Sequence, residues 1–161
     1  LHKQDKIHAR ISFKRKIMKN LLLSLLLLLP LGLFAQDLKE GSPLKTMAIK
    51  DQFEKNIAIT TQTKQILLAF SKEQGEKVKV FLEANPNYLA ENNAIYLMDV
   101  STVPGMVMSM FMLPKFQKYS YTVGLVENEK DIAYFPKKEN LITVITLDNL
   151  NVTSIAFKEV L

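Results

Sequence analysis

Four methionines stand at alternate positions of one apolar segment, and their thioethers are the first groups in the sequence with a chemistry of their own. They are Met106, Met108, Met110 and Met112. Thioether sulfur is a soft ligand that suits Cu(I). On a helix, with about 100° between residues, the four separate into two pairs on different faces, and the candidate metal pair is Met106 with Met110. We favour adaptable core packing for this segment; the third alternative is an apolar groove for a partner or a lipid.

Three polar residues follow predicted buried strands and are the candidate binding residues. Ser71 comes directly after an apolar run at 66–70, and Asp99 and Ser101 close a second run at 94–100. The carboxyl ends of parallel strands often face a ligand crevice. The alternative, which we favour, is that Asp99 and Ser71 cap backbone N–H groups. Ser71 has no histidine to activate it, and a lysine base would need a depressed pKa.

The types of residue that are missing exclude more chemistry than the residues present suggest. Beyond position 35 the sequence has no Cys, His, Arg or Trp. This excludes thiol catalysis, a Ser-His-Asp triad and any zinc site that needs His or Cys. The scattered glycines form no phosphate-binding motif. We therefore assign no catalytic residue and predict no cofactor.

The basic charge of the chain belongs to its first 35 residues. The whole chain has a formal net charge of +5, but residues 36–161 hold 14 basic and 15 acidic residues, a net charge of −1. A nearly neutral domain argues against nucleic acid as a partner.

The N-terminal segment predicts export. We interpret residues 1–17 as a basic leader from an over-extended gene assignment, because the first methionine is Met18; a long basic n-region is the alternative. Residues 18–35 have Lys19, a leucine-rich core and Ala35 before a polar stretch, which indicates a cleaved signal peptide of bacterial style. The core is shorter than the roughly 20 residues of a membrane span, although an uncleaved anchor is the alternative. The expected location is the periplasm, with no membrane attachment after cleavage.

The remaining patterns predict a strand and helix order. The strand at 66–70 leads through a polar turn at 71–75 into an amphipathic helix, and 94–100 is a second strand parallel to the first. Short strands are expected around 47–49 and 57–59. Pro104 marks the start of a helix that Pro114 kinks or ends. A strand at 121–126, a polar turn at 128–130 and a hairpin of 141–147 with 152–157 follow.

Residues 41–57 and 63–70 resemble the opening of peroxiredoxin-like and related secreted thioredoxin-fold proteins. Those proteins begin with Gly and Pro, continue into an apolar strand that ends in a Lys-Asp-Gln type of turn, and add a short strand before the first central one. The resemblance implies an α/β fold, a thioredoxin-like mixed sheet with flanking helices, for a single domain at 36–161. In that family the catalytic cysteine follows the first central strand. Here residues 71–75 fill that place without a cysteine, so redox activity is not implied.

Three functional hypotheses follow. The leading one is an exported, non-catalytic binding or accessory module whose partner is an unknown protein or small molecule. The second is a redox protein that borrows its chemistry from a bound cofactor such as a flavin. The third is a Cu(I)-binding protein that uses Met106 and Met110.

Overall fold

Two parallel strands form the centre of the sheet. The computed structural model of the protein describes residues 37–161, so the predicted leader and signal peptide lie outside the described residues. Strand β3 (Gln65–Ala69) and strand β4 (Ala94–Asp99) pair in parallel, with Ala69 opposite Met98. Both are rich in Ile, Leu and Met and are buried on both faces, as expected for parallel strands covered by helices.

In the part of the chain that the structure describes, the other strands extend this pair into one mixed sheet of seven. Their bounds are β1 Ile49–Asp51, β2 Asn56–Ile57, β5 Gly124–Val126, β6 Ile142–Asp148 and β7 Asn151–Lys158. The strand order is β2-β1-β5-β4-β3-β6-β7, and β5 runs parallel to β4. The predicted mixed sheet, the parallel pair and the β6–β7 hairpin are confirmed.

The helices are in the segments of the chain that connect the strands. Their bounds are α1 Lys72–Ala84, α2 Tyr88–Glu91, α3 Gly105–Val107, a π-helix Met108–Met112, α4 Leu113–Phe116 and α5 Glu129–Ala133. Within residues 37–161 no helix has the length and apolar character that a membrane span requires.

Alternation along the strands divides the core into two layers. On β3, Ile66 and Leu68 face one cluster, whereas Leu67 and Ala69 face the other. The second cluster also receives Val78 and Leu82, the buried stripe of α1. Burial of an aliphatic side chain of this size contributes about 1.5–3 kcal/mol, so these stripes fix the position of α1 on the sheet.

Two predicted turns are wrong because asparagine and serine cap helices that begin earlier than expected. Residues 71–75 are not a turn: α1 begins at Lys72, with Ser71 as its cap. Residues 128–130 belong largely to α5, whose first N–H groups include one bonded to the Asn128 side chain. Short polar side chains accept bonds from otherwise unpaired N–H groups at helix starts, which permits helices where composition alone indicates turns.

Pro114 neither ends the helix nor leaves it regular. Proline has no N–H and its ring clashes with the carbonyl four residues back, which is that of Met110. The helix widens before it: Leu113 donates to the carbonyl of Met108, five residues earlier, and residues 108–112 form a π-helix. The chain then returns to α-helical geometry through Phe116. One apolar segment at 105–116 therefore remains continuous.

A buried glutamine holds the chain that follows this segment. Gln52, 1% exposed, accepts a bond from the Val123 N–H at 2.9 Å and donates to the Tyr121 carbonyl at 2.9 Å. Its own carbonyl accepts from the Gln117 side chain at 3.1 Å. Because the Gln52 side chain hydrogen-bonds the Tyr121 carbonyl and the Val123 N–H, strand β5 begins at Gly124 and not at Tyr121 as predicted.

We expect Gln52→Leu to lower the free energy of unfolding by about 2–3 kcal/mol, because it leaves a buried N–H and a buried carbonyl without partners. The measurement is denaturant unfolding. Gln62→Leu, an exposed glutamine, is the matched control and is expected to stay within about 0.5 kcal/mol of the parent. Equal stabilities for the two variants would contradict the role assigned to Gln52.

Candidate functional site

A cavity of about 450 Å³ lies at the carboxyl edge of β3 and β4. Its walls are the ends of these strands, the first turn of α1 and the 105–116 segment. The apolar lining is Phe70, Met98, Val103, Val107, Phe111, Met112 and Phe116. The polar lining includes Ser71, Lys72, Glu76, Asp99, Thr102 and Lys115. Its size and its mainly apolar and aromatic lining with a few polar groups are typical of small-molecule sites.

The β3–α1 junction is held by a reciprocal pair of side-chain bonds. Ser71 has extended backbone, and its hydroxyl oxygen accepts from the Gln74 N–H at 3.2 Å. The Gln74 side-chain oxygen accepts in turn from the Phe70 N–H at 2.7 Å. This is the reciprocal pattern of a capping box, with the glutamine bonding one residue before the cap. Ser71 lines the cavity, and its hydroxyl oxygen accepts a bond from the helix.

Asp99 and Ser101 form a second polar turn at the same edge. One oxygen of Asp99, Oδ1, accepts from the Ser101 N–H at 3.0 Å and from the Ser101 hydroxyl at 2.7 Å. Asp99 lines the cavity, whereas Ser101 does not. The structure thus brings Ser71 and Asp99 to one cavity, and Asp99 caps the turn after its own strand, not the helix that begins at Gly105.

The methionines divide as helical spacing requires. Met106 and Met110 are 73% and 62% exposed, outside the cavity lining, whereas Met108 and Met112 are half-buried and pack against the core. The favoured core-packing interpretation is therefore correct for the second pair and wrong for the first. Among residues 37–161 no cluster of three acidic side chains is placed to hold a metal ion. The Cu(I) hypothesis for Met106 and Met110 stays a prediction.

An ion pair joins the two sides of the cavity. Lys115, on α4, hydrogen-bonds Glu76, on α1, and both side chains are about half exposed. The Lys115 hydrogen bond holds the pKa of Glu76 below its usual value, and the same bond raises the pKa of Lys115. At this exposure the pair contributes under about 1 kcal/mol. Its effect is to keep α4 beside α1.

Three tyrosines pack together at the cavity, and Tyr96 and Tyr119 belong to its lining. Tyr119 packs on Tyr121 with ring centroids 5.1 Å apart, and Tyr121 lies 6.2 Å from Tyr96. Burial raises the pKa of the Tyr96 and Tyr121 phenols. Tyr96 is 2% exposed and lines the cavity. Sequence analysis missed it, because an aromatic residue inside a predicted buried strand indicates core packing and gives no sign that its hydroxyl reaches a cavity.

Comparison with solved structures identifies the fold. Peroxidoxin BcpB from Mycobacterium tuberculosis is similar over 76% of this chain and 87% of its own, with 15% identity and a TM-score of 0.52. The thioredoxin domain of a thiol-disulfide oxidoreductase from Bacteroides vulgatus is similar over 76% and 91%, with 11% identity and a TM-score of 0.51. A peroxiredoxin-like protein from Aquifex aeolicus is similar over 76% of this chain and 78% of its own, with 12% identity and a TM-score of 0.50.

The chain therefore has the thioredoxin-like fold, and the sequence contains no cysteine. Both the predicted fold and the predicted lack of redox cysteines are confirmed. No protein-family model matches the chain, and no curated protein matches it.

We expect Ser71→Ala to lower the free energy of unfolding by about 1 kcal/mol, because the Gln74 N–H loses its acceptor at the start of α1. Ser71→Asp keeps an acceptor and is expected to retain most of that stability. Thermal and denaturant unfolding are the measurements, with the exposed Ser120→Ala as the control. If alanine and aspartate at position 71 were equally stable, Ser71 would not act as the cap.

Proposed function

We propose that this chain is an exported, non-redox binding module and that its cavity binds a small, largely apolar molecule. The observation that carries the proposal is the 450 Å³ cavity at the carboxyl edge of the two central parallel strands. In open α/β sheets this edge is where ligands bind. Its aromatic and methionine walls present area that an apolar molecule removes from water, at about 25 cal/mol per Å².

The chemistry of the edge supports binding in preference to catalysis. The strand–helix junction has residues 71–75, without a cysteine, where the resemblance places the catalytic cysteine, and the Ser71 hydroxyl oxygen accepts a bond from the helix. The full sequence contains no cysteine, and residues 36–161 contain no histidine. The cavity therefore holds no thiol and no imidazole, and its charged groups are Lys72, Lys115, Glu76 and Asp99.

The accessible mouth of the cavity also supports the proposal that the cavity binds a ligand. Phe111, 67% exposed, and Val107, 41% exposed, belong to the lining and extend it to the surface. Large side chains of this kind at the rim of a cavity favour the entry of apolar molecules.

Export rests on the signal-peptide pattern of residues 18–35. Cell fractionation tests it directly. The mature chain, shortened to begin near Gln36, is expected in the exported fraction, and a full-length chain retained in the cytoplasm would contradict export.

The binding proposal is tested by obstruction of the cavity. Propylbenzene at about 100 times its dissociation constant is expected to stabilise the protein by about 2.7 kcal/mol and to raise the unfolding midpoint by several degrees. Val103→Trp places a large side chain in the lining and is expected to abolish this shift. Val160→Trp, at a residue 72% exposed and outside the lining, is the control and keeps the shift.

A shift of equal size in Val103→Trp would contradict the cavity as the binding site. Flavin mononucleotide and Cu(I) belong in the same panel. Stabilisation by flavin that Val103→Trp abolishes would favour the cofactor hypothesis. Stabilisation by Cu(I) that disappears in a Met106→Leu, Met110→Leu double variant would favour the metal hypothesis.

A further inference from the structure

Tyr96 is 2% exposed as a residue and lines the cavity, and its hydroxyl makes no hydrogen bond to any residue from 37 to 161. The Tyr88 hydroxyl, by contrast, donates to Gln65 at 2.7 Å. Among the described residues the one fully enclosed side-chain polar atom without a partner is the Tyr121 hydroxyl, so the Tyr96 hydroxyl is open to the cavity. A donor that faces a mainly apolar cavity and has no protein partner takes its acceptor from water or from a ligand.

Gly75 keeps space open beside this hydroxyl. A Cβ built at Gly75 would lie 3.5 Å from the Tyr96 oxygen, 3.0 Å from Met98 Cε and 3.5 Å from the Met98 sulfur. Glycine inside a helix is less favourable than alanine. Here the glycine leaves room at a point where the helix, the cavity and the free hydroxyl meet.

The charges around the hydroxyl define what it can bind. Burial raises the pKa of the Tyr96 phenol, and the Glu76 carboxylate acts in the same direction, so the hydroxyl keeps its proton and is a donor. Lys72 and Lys115 are exposed residues at the mouth, and Lys115 is already paired with Glu76. An anionic group at Tyr96 would therefore be buried near the Glu76 carboxylate, whereas the other cation of the lining, Lys72, is exposed at the mouth, so burial of the anion is costly.

We propose that the cavity ligand is an uncharged, largely apolar molecule with a carbonyl-type oxygen, and that this oxygen accepts a hydrogen bond from Tyr96 in the space beside Gly75. This inference rests on the proposed function and names the ligand class for that same cavity. Tyr96 supplies the selectivity, because a ligand without an acceptor would leave the buried hydroxyl unpaired.

Three probes of nearly equal shape test the proposal: 4-phenyl-2-butanone (a ketone), isopentylbenzene (a hydrocarbon) and 3-phenylpropanoate (a carboxylate). Dissociation constants are measured by NMR titration on the protein as isolated from expressing cells. The ketone is expected to bind the parent protein roughly three- to tenfold more tightly than it binds Tyr96→Phe, the range of a single neutral hydrogen bond. The hydrocarbon is expected to bind both equally, and the carboxylate most weakly.

Tyr88→Phe is the matched control, since its phenol has a protein partner and does not line the cavity. It is expected to lose stability and to keep the ketone affinity of the parent. Tyr96→Phe is expected to keep full stability, because no protein partner is left unpaired. A destabilised Tyr96→Phe would show that the hydroxyl has a protein partner and would overturn the inference.

Gly75→Ala provides an independent variant. Its methyl group occupies the space beside Tyr96, so we expect weaker ketone binding together with unchanged or increased stability. Gly105→Ala is the control, because a Cβ there meets no atom within 4 Å. Undiminished ketone binding by Gly75→Ala would contradict the assigned site.

The outcomes separate this inference from the proposed function. If the hydrocarbon and the ketone bind the parent and Tyr96→Phe alike, the cavity binds apolar molecules but Tyr96 does not select them. If the carboxylate binds most tightly, the neutral class is wrong. If no probe perturbs the cavity residues of the parent, the proposed function itself fails.

Discussion

Two hydrogen bonds set the geometry of the edge on which the cavity depends: the Gln74 N–H donates to the Ser71 hydroxyl, and the Phe70 N–H donates to the Gln74 side chain. They start α1 shortly after β3, with only Phe70 and Ser71 between strand and helix. A longer turn would displace Gly75 and Glu76 relative to β4. With the short junction, Gly75 lies over Met98 and Tyr96 on β4, and Glu76 faces Lys115. The strand pairing and the cap together place Ser71, Lys72, Glu76 and Asp99 at the cavity.

The opposite wall of the cavity is the 105–116 segment, and a residue distant in sequence helps to fix its position. The 105–116 segment is continuous because its helix widens before Pro114, and π-turns of this kind are frequent at functional sites. Gln52, in the β1–β2 turn, then fixes the chain just beyond the segment. A buried amide that satisfies backbone groups of a loop orders that loop where no strand pairing is present. The cavity therefore lies between α1, whose start is capped by Ser71, and the 105–116 segment, beyond which Gln52 holds the backbone.

The fold could be predicted from sequence because it depends on local patterns. The apolar runs at 66–70 and 94–100 and the stripe of α1 have periods that identify strand and helix. The cavity could not be predicted from sequence, because its lining residues come from elements that are far apart in the chain. Gln52 gave no signal in a polar turn, and Tyr96 differed in no way from a core aromatic. Ser71 and Asp99 were found because they follow strands, whereas the contact of Gly75 with Met98 arises only when helix and sheet are packed together.

The same comparison explains the methionine segment. Helical spacing separated Met106 and Met110 from Met108 and Met112, but the pattern alone did not show which pair faces the core. In the structure Met108 and Met112 pack against the core, whereas Met106 and Met110 are exposed and lie outside the cavity lining.

Native mass spectrometry of the protein isolated from its own cells tests the central claim most directly. The account predicts a bound neutral organic molecule, released on denaturation, that is present in the parent protein and depleted in Val103→Trp. If the parent and Val103→Trp each showed only their own ligand-free mass, under conditions that preserve non-covalent complexes, the result would contradict a ligand-binding cavity.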